Sequence, residues 1–306
     1  MSTELTTGAS APLDLTTISR EDWLKARGIG SSDVSAICGL NPYRTAYQVW
    51  AEKVGIAEPF AGNEATEIGL ALEPVIADLY AKRTAYLVDP VAKMFFHKDY
   101  PWMTSTPDRF VTRETTKGLG EIKNVGWRMV KEWEDDNTPD HAHLQAQSQL
   151  LVTNSEVQQF EFCDVIAMLG GRELVWRTVE PDLSVQARLI EILCQFWELV
   201  QTKTPPPLVA EDAEAIKLLY PNAQAGLEIA LPEEAEFLFE QRAKAMEQIK
   251  TATSLKDEAE TKIKALLGNA ERGKGKKFAV SWKNQTRAAH MVKESTFRKL
   301  TVTEVK

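Results

Sequence analysis

Apolar and polar residues follow two periods along this 306-residue chain. Helical spacing, with apolar residues three and four apart, runs through Ile68, Leu72, Val75, Ile76 and Leu79 in residues 64–85. It recurs through Leu189, Ile192, Leu193, Phe196 and Trp197 in residues 182–201. Glu73 falls close to the first of these stripes, where a charge without a partner is costly. Residues 19–54 predict shorter helices. Ser19 with Glu21 and Asp22 marks one start. Ser31 or Ser32 caps a second, through Val34, Ile37 and Cys38, stopped by Gly39 and Asn41-Pro42, and "TAYQVWAEKVG" forms a third. After Pro139, "DHAHLQAQSQLLVTN" is helical again. In residues 232–267 eight of ten positions at 3-4 spacing are apolar, Arg242 and Lys256 being the exceptions. That predicts a long helix packed on a partner, or half of a coiled coil.

Between the helices the period shortens to two, as in strands. "YLVDPVAKMFFHKD", "WMTSTPDRFVT" and "LGEIKNV" precede the helix after Pro139, and "EVQQFEFCDVIAML" and "RELVWRTVE" follow it, joined at Gly170-Gly171. Helix, strands, helix, strands, helix predicts an α/β (α+β) core with a central mixed sheet flanked by helices. Pro205, Pro206 and Pro207 punctuate the chain, which gives a leader over 1–18 read as disordered, a core over 19–205 and an extension over 206–306. The extension ends in a hairpin where Phe278, Val280 and Trp282 alternate. They are expected to form a small core against the long helix; the alternative is stacking on nucleobases.

Charge is uneven. The net is −8, yet residues 271–306 carry ten Lys and Arg against three Glu, a net +7, which leaves −15 on the rest. A basic tail on an acidic body suits a polyanion contact at one end. No apolar run reaches the roughly 18–20 residues of a membrane span. Cys38, Cys163 and Cys194 stand far apart, which argues against disulfides and against a thiolate metal or iron–sulfur cluster, and a cytoplasmic location is expected.

The chemistry concentrates in "STPDRFVTRETTKGLGEIKNV", residues 105–125. On a strand Glu121 and Lys123 share a face, and Asp108 approaches Glu121 from the neighbouring strand if the two arms pair. Adjacent carboxylates repel unless a cation lies between them, and oxygen ligands suit Mg²⁺ or Mn²⁺. A lysine beside them can orient a metal-activated water. Arg27, Ser31 and Ser32 in "ARGIGSSD" supply a guanidinium, hydroxyls and helix N-terminal amides, a phosphate grip. Gln145, Gln147 and Gln149 crowd one helix.

Taken in order, "WLKARGIGSSDVSAICGLNPY", "GLALEPVIADLY", "TPDRFV" with "GEIKNV", and "HLQAQSQLLVTN" resemble the YqaJ-type phage recombinases, the lambda-exonuclease-like branch of the PD-(D/E)xK nucleases, over about residues 20–200. The resemblance implies a restriction-endonuclease-like fold and Mg²⁺-dependent 5′-to-3′ digestion of linear double-stranded DNA in phage-type recombination. It implies that Asp108, Glu121, the Ile122 backbone carbonyl and Glu73 hold two ions, with Mn²⁺ as an alternative to Mg²⁺. Lys123 would position the attacking water, and Gln145, or Gln147 one register away, would complete the site. Arg27, with Ser32 or Ser31, would grip the 5′-terminal phosphate. A single-strand annealing protein, a homotrimeric ring around DNA and the cytoplasm of a bacterial host are further implications. The alternatives are an endonuclease of the same fold and a non-catalytic DNA-binding or scaffolding protein.

Overall fold

A computed structural model of the chain describes residues 11–19, 22, 26–156 and 159–286. The chain falls into two units, Met1–Leu219 and Tyr220–Lys306. In the first, the order begins β1 (Leu13–Asp14), β2 (Ile29–Gly30), a 3-10 turn (Ser31–Asp33), α1 (Val34–Ile37), α2 (Ala46–Lys53) and α3 (Glu64–Thr84). Next come β3 (Leu87–Pro90), β4 (Lys93–Phe96), β5 (Met103–Ser105), β6 (Arg109–Arg113), β7 (Thr116–Val125) and a 3-10 segment (Trp127–Trp133). The unit closes with α4 (Asp140–Thr153), β8 (Phe162–Leu169), β9 (Glu173–Val179), α5 (Leu183–Thr202) and α6 (Ala213–Leu219). The second unit contains α7 (Glu234–Leu267), β10 (Arg272–Lys274) and β11 (Ala279–Ser281).

The central sheet has the order β3-β6-β7-β8-β9 and is mixed: β7 and β8 run parallel, the other pairs antiparallel. Two adjacent parallel strands need a crossover, and α4 supplies it. Strand β8 shows how both faces are covered. Phe162 and Ile166 pack with Ile76 and Tyr80 of α3, whereas Cys163, Val165 and Ala167 pack with Ala142, Ala146 and Leu150 of α4. Gly118 must lack a side chain, because a Cβ there would lie 2.3 Å from the Phe162 ring, which the Arg113 guanidinium covers at 3.8 Å. A smaller sheet, β1-β4-β5-β2, lies with α1, α2 and α5 around a second core that includes Val34, Trp50, Leu193 and Phe196. Parallel pairing of β2 with β5, Ile29 opposite Met103, fixes where the segment after β2 emerges.

Several expectations change. Leu13 and Asp14, inside the stretch read as a leader, pair with Met94 and Lys93. The helix start at Ser19 falls largely outside the described residues; within them Ser19 Oγ accepts the Asp22 N–H at 3.1 Å. Neither Ser31 nor Ser32 caps a helix through its side chain, since Gly30 occupies the N-cap and Asp33 accepts its N–H at 3.1 Å. On α3 the buried residues are Ile76, Ala77 and Tyr80, whereas Ile68, before the buried stretch, and Val75, turned off the sheet face beside Ile76, are exposed. The first unit runs on past Pro205–Pro207 to Leu219, and the buried Asp212 accepts hydrogen bonds from Thr45 and from the Val209 N–H. Nothing on α7 is buried. Phe278, Val280 and Trp282 are exposed rather than packed into a small core, although Val280 lies opposite Gly273 in the hairpin. No helix of the described residues is long and apolar enough to cross a membrane.

Candidate active site

Strands β6 and β7 pair with Arg109 opposite Gly120, so Asp108 arrives at the edge of β6 level with Glu121 and Ile122. Its Oδ2 accepts the Ile122 N–H at 2.7 Å, which ties the carboxylate to the backbone of β7. Alternation sends Leu119, Glu121 and Lys123 toward α4 and Ile122 toward α3. Lys123 Nζ donates to Glu121 Oε1 at 2.7 Å and to Gln145 Oε1 at 2.8 Å. Gln149, one turn along α4, donates to Glu121 Oε2 at 2.6 Å. Gln147 lies on the other side of the helix, where it donates to the Glu180 carbonyl at 2.8 Å and accepts the Asp182 N–H at 3.0 Å. The three glutamines crowded in sequence therefore separate into two that line the cleft and one that anchors the start of α5.

From α3, Glu73 accepts a 2.6 Å bond from Arg109 Nη1, which also donates to the Asp108 carbonyl at 2.6 Å. Arg109 thus links the helix to the strand end that carries Asp108. Arg27 Nη2 donates to Ser32 Oγ at 2.7 Å. Ser31 lines the same cleft, and its hydroxyl, largely buried, donates to the Thr104 carbonyl at 3.3 Å and accepts from Ser148 at 3.1 Å. One cavity of about 610 Å³ is lined by Arg27, Ser32, Glu73, Asp108, Glu121 and Lys123, with Gln145 and Gln149.

Electrostatics follow from this crowding. Burial, with the Glu121 carboxylate next, pushes the Asp108 carboxyl well above the usual range. Burial alone would lower the Lys123 ammonium, but Glu121, with Asp108 beside it, outweighs burial and holds it above the usual lysine range. Among the described residues no three His, Cys, Asp or Glu side chains assemble into a complete cage for a metal. The donors present still fit a hard divalent cation: two carboxylates whose proximity is unfavourable without one, in a cavity with room for water.

Sequence reasoning grouped Gln149 with its neighbours without giving it a role and missed Arg109. The first was legible from its i, i+4 relation to Gln145; the second only from knowing that Glu73 faces β6.

Residues 22–156 match the family of the YqaJ-like viral recombinase domain. The chain is 28% identical over 272 residues, 87% of its length and 84% of the relative's, to the uncharacterized protein YqaJ of Bacillus subtilis strain 168. It is 30% identical over 101 residues, 32% of this chain and 29% of the relative, to protein D345L of African swine fever virus, strain Badajoz 1971 Vero-adapted. Among solved structures it superimposes on LHK-Exo, the alkaline exonuclease of Laribacter hongkongensis, in complex with dAMP. The TM-score is 0.50 at 19% identity, covering 65% of this chain and 99% of that one, a likeness of fold.

Proposed function

We propose that this chain, which carries a YqaJ-like viral recombinase domain over residues 22–156, is a metal-dependent deoxyribonuclease that resects linear duplex DNA from its 5′ ends. The observation that carries the reading is the bridge of Lys123 between Glu121 and Gln145 in the cavity that also holds Asp108, Arg27 and Ser32. Asp108, Glu121, the Ile122 carbonyl and Glu73 are the groups to hold Mg²⁺ or Mn²⁺, two ions in the full site, which would supply an activated water and neutralise phosphate charge.

The chain's own residues do the positioning. Lys123, kept protonated by Glu121, donates to the attacking water or to the phosphate oxygen where charge grows. Gln145 fixes the Lys123 ammonium in place. Arg27 and Ser32 hold the 5′-terminal phosphate, and a free end is what an exonuclease recognises and an endonuclease does not need. The 3′ strand left behind is the substrate of an annealing protein, and a homotrimeric ring around DNA is the assembly that suits processive digestion. In the second unit, Arg272, Lys274, Lys276 and Lys277 offer phosphate contacts from the hairpin.

The test is linear duplex DNA labelled at the 5′ or the 3′ end, incubated with Mg²⁺, with closed circular DNA and Lys123→Ala as controls. Loss of the 5′ strand on linear DNA only, absent in the variant, is expected. Cutting of the closed circle would move the reading to an endonuclease of the same fold. DNA binding without cutting would make it a non-catalytic binder. Ca²⁺ should support binding without efficient cleavage, and light scattering in solution should return the mass of three chains.

A further inference from the structure

We infer that Asp33 is a positioning residue, a buried counter-ion that gathers Arg27, Arg44 and Lys53 and aims Arg27 at the phosphate ending the 5′ strand. This rests on the reading of Arg27 as the terminal-phosphate grip. Asp33 is 1% exposed. Its Oδ1 accepts from Arg44 Nη1 at 2.7 Å. Its Oδ2 accepts the Gly30 N–H at 3.1 Å and lies 3.3 Å from Lys53 Nζ and 3.4 Å from Arg27 Nη2. Two carboxylate oxygens therefore organise three cations and the strand end from which the phosphate-binding segment starts.

A buried carboxylate is tolerated only when paired, and here the pairing exceeds one to one. Arg44 also reaches Glu52 at 2.5 Å, which ties the cluster to α2. The cluster continues the cleft: a second cavity of about 690 Å³ shares Arg27 and Ser32 with it and adds Asp33, Arg44 and Lys53, with Glu52, Glu64 and Glu67 on its walls. Gly30 completes the device. A Cβ there would lie 2.4 Å from Arg27 Nη2, so the guanidinium lies against bare backbone, between the Asp33 carboxylate and the Ser32 hydroxyl. Without the Asp33 charge, the three cations repel one another and Arg27 loses one of these constraints.

The experiment uses the full chain with Mg²⁺ on linear duplexes ending in 5′-phosphate or 5′-hydroxyl, and reads the ratio of initial rates. Wild type is expected to favour the phosphate by roughly tenfold or more, the scale of one charge-assisted contact. Asp33→Asn keeps the size and an acceptor for Gly30, and should collapse the ratio toward that of Arg27→Ala, mainly through a raised KM on phosphorylated ends. A lowered Tm with an unchanged ratio would make Asp33 merely structural and overturn the inference. If Asp33→Asn does not fold, Asp33→Asn with Lys53→Met removes one anion and one cation together. It is expected to fold and to lack the preference; a wild-type ratio in that double variant overturns the inference. A wild-type enzyme that cuts both ends alike would remove the terminal-phosphate reading itself, and Asp33's role with it, a failure visible before any variant is made.

Discussion

Gln149 donates to Glu121 Oε2 at 2.6 Å while Lys123 takes Oε1 at 2.7 Å, so both oxygens of this buried carboxylate are oriented from outside. One partner comes from α4 and the other from two residues along the same strand. Groups that orient a metal ligand govern affinity as strongly as many ligands do. Gln149→Leu should therefore weaken Mg²⁺ binding by roughly 10- to 100-fold. Cleavage rate titrated against Mg²⁺ should show the half-saturating concentration move up by that factor, with the plateau largely recovered. An unmoved Mg²⁺ midpoint would show that the Gln149 bond only fills space.

Removing the ammonium of Lys123 has a different signature. Lys123→Met should lower kcat by roughly a thousandfold, the scale of losing a preorganised charge contact. DNA affinity measured in Ca²⁺ should change only a few-fold, because phosphate contacts spread over many groups. Gln145→Leu, which leaves the charge and its bond to Glu121 but removes the second acceptor, should fall between this variant and wild type. A Lys123→Met enzyme within tenfold of wild type would exclude Lys123 from the chemistry.

Much of the core was legible because period and partner agree. Strand β8 alternates between two buried faces, so its apolar run and the helical runs either side allow only a covered mixed sheet. Glu121 and Lys123 were legible for the same reason, since strand parity decides their face. Where side chains point across elements, sequence falls short. Ile68 and Val75 fit the helical stripe as well as Ile76 does, but Ile68 precedes the buried part of α3 and Val75 turns off the sheet face beside Ile76. Ser31 and Ser32 are chemically identical neighbours, and only the approach of Thr104 and Ser148 gives the first its interior hydrogen bonds. Arg109 was invisible because its partner Glu73 lies 36 residues away on a helix.

The sheet face under α3 holds a second buried charge outside the cleft. Asp164 is fully buried and bonded to the Tyr80 hydroxyl, to Arg113 Nη2 at 2.5 Å and to Thr178 Oγ1 at 2.7 Å. Tyr80→Phe removes one donor and leaves the carboxylate short of a partner, at a cost of about 1–3 kcal/mol. Denaturant unfolding should show the unfolding free energy fall by that amount while the Mg²⁺ midpoint of cleavage stays put. A shifted Mg²⁺ dependence would mean that this network reaches the active site through β8.

Acid stability should be governed in part by Asp33. Burial would raise its carboxyl, but Arg27, Lys53 and Arg44 together overcome burial and hold it far below the usual carboxylate range. A group depressed in the folded state stabilises the fold above its unfolded value, near 4, and that contribution disappears as pH falls below it. Wild type should thus lose stability progressively as pH drops below about 4. Asp33→Asn lacks the contribution at every pH and should be weaker by about 3 kcal/mol at neutral pH, the scale of breaking a buried ion pair. Urea unfolding between pH 7 and about pH 2 should show the gap between the two proteins narrow below about pH 4. Parallel curves across that range would mean that the three cations find other partners once Asp33 is gone.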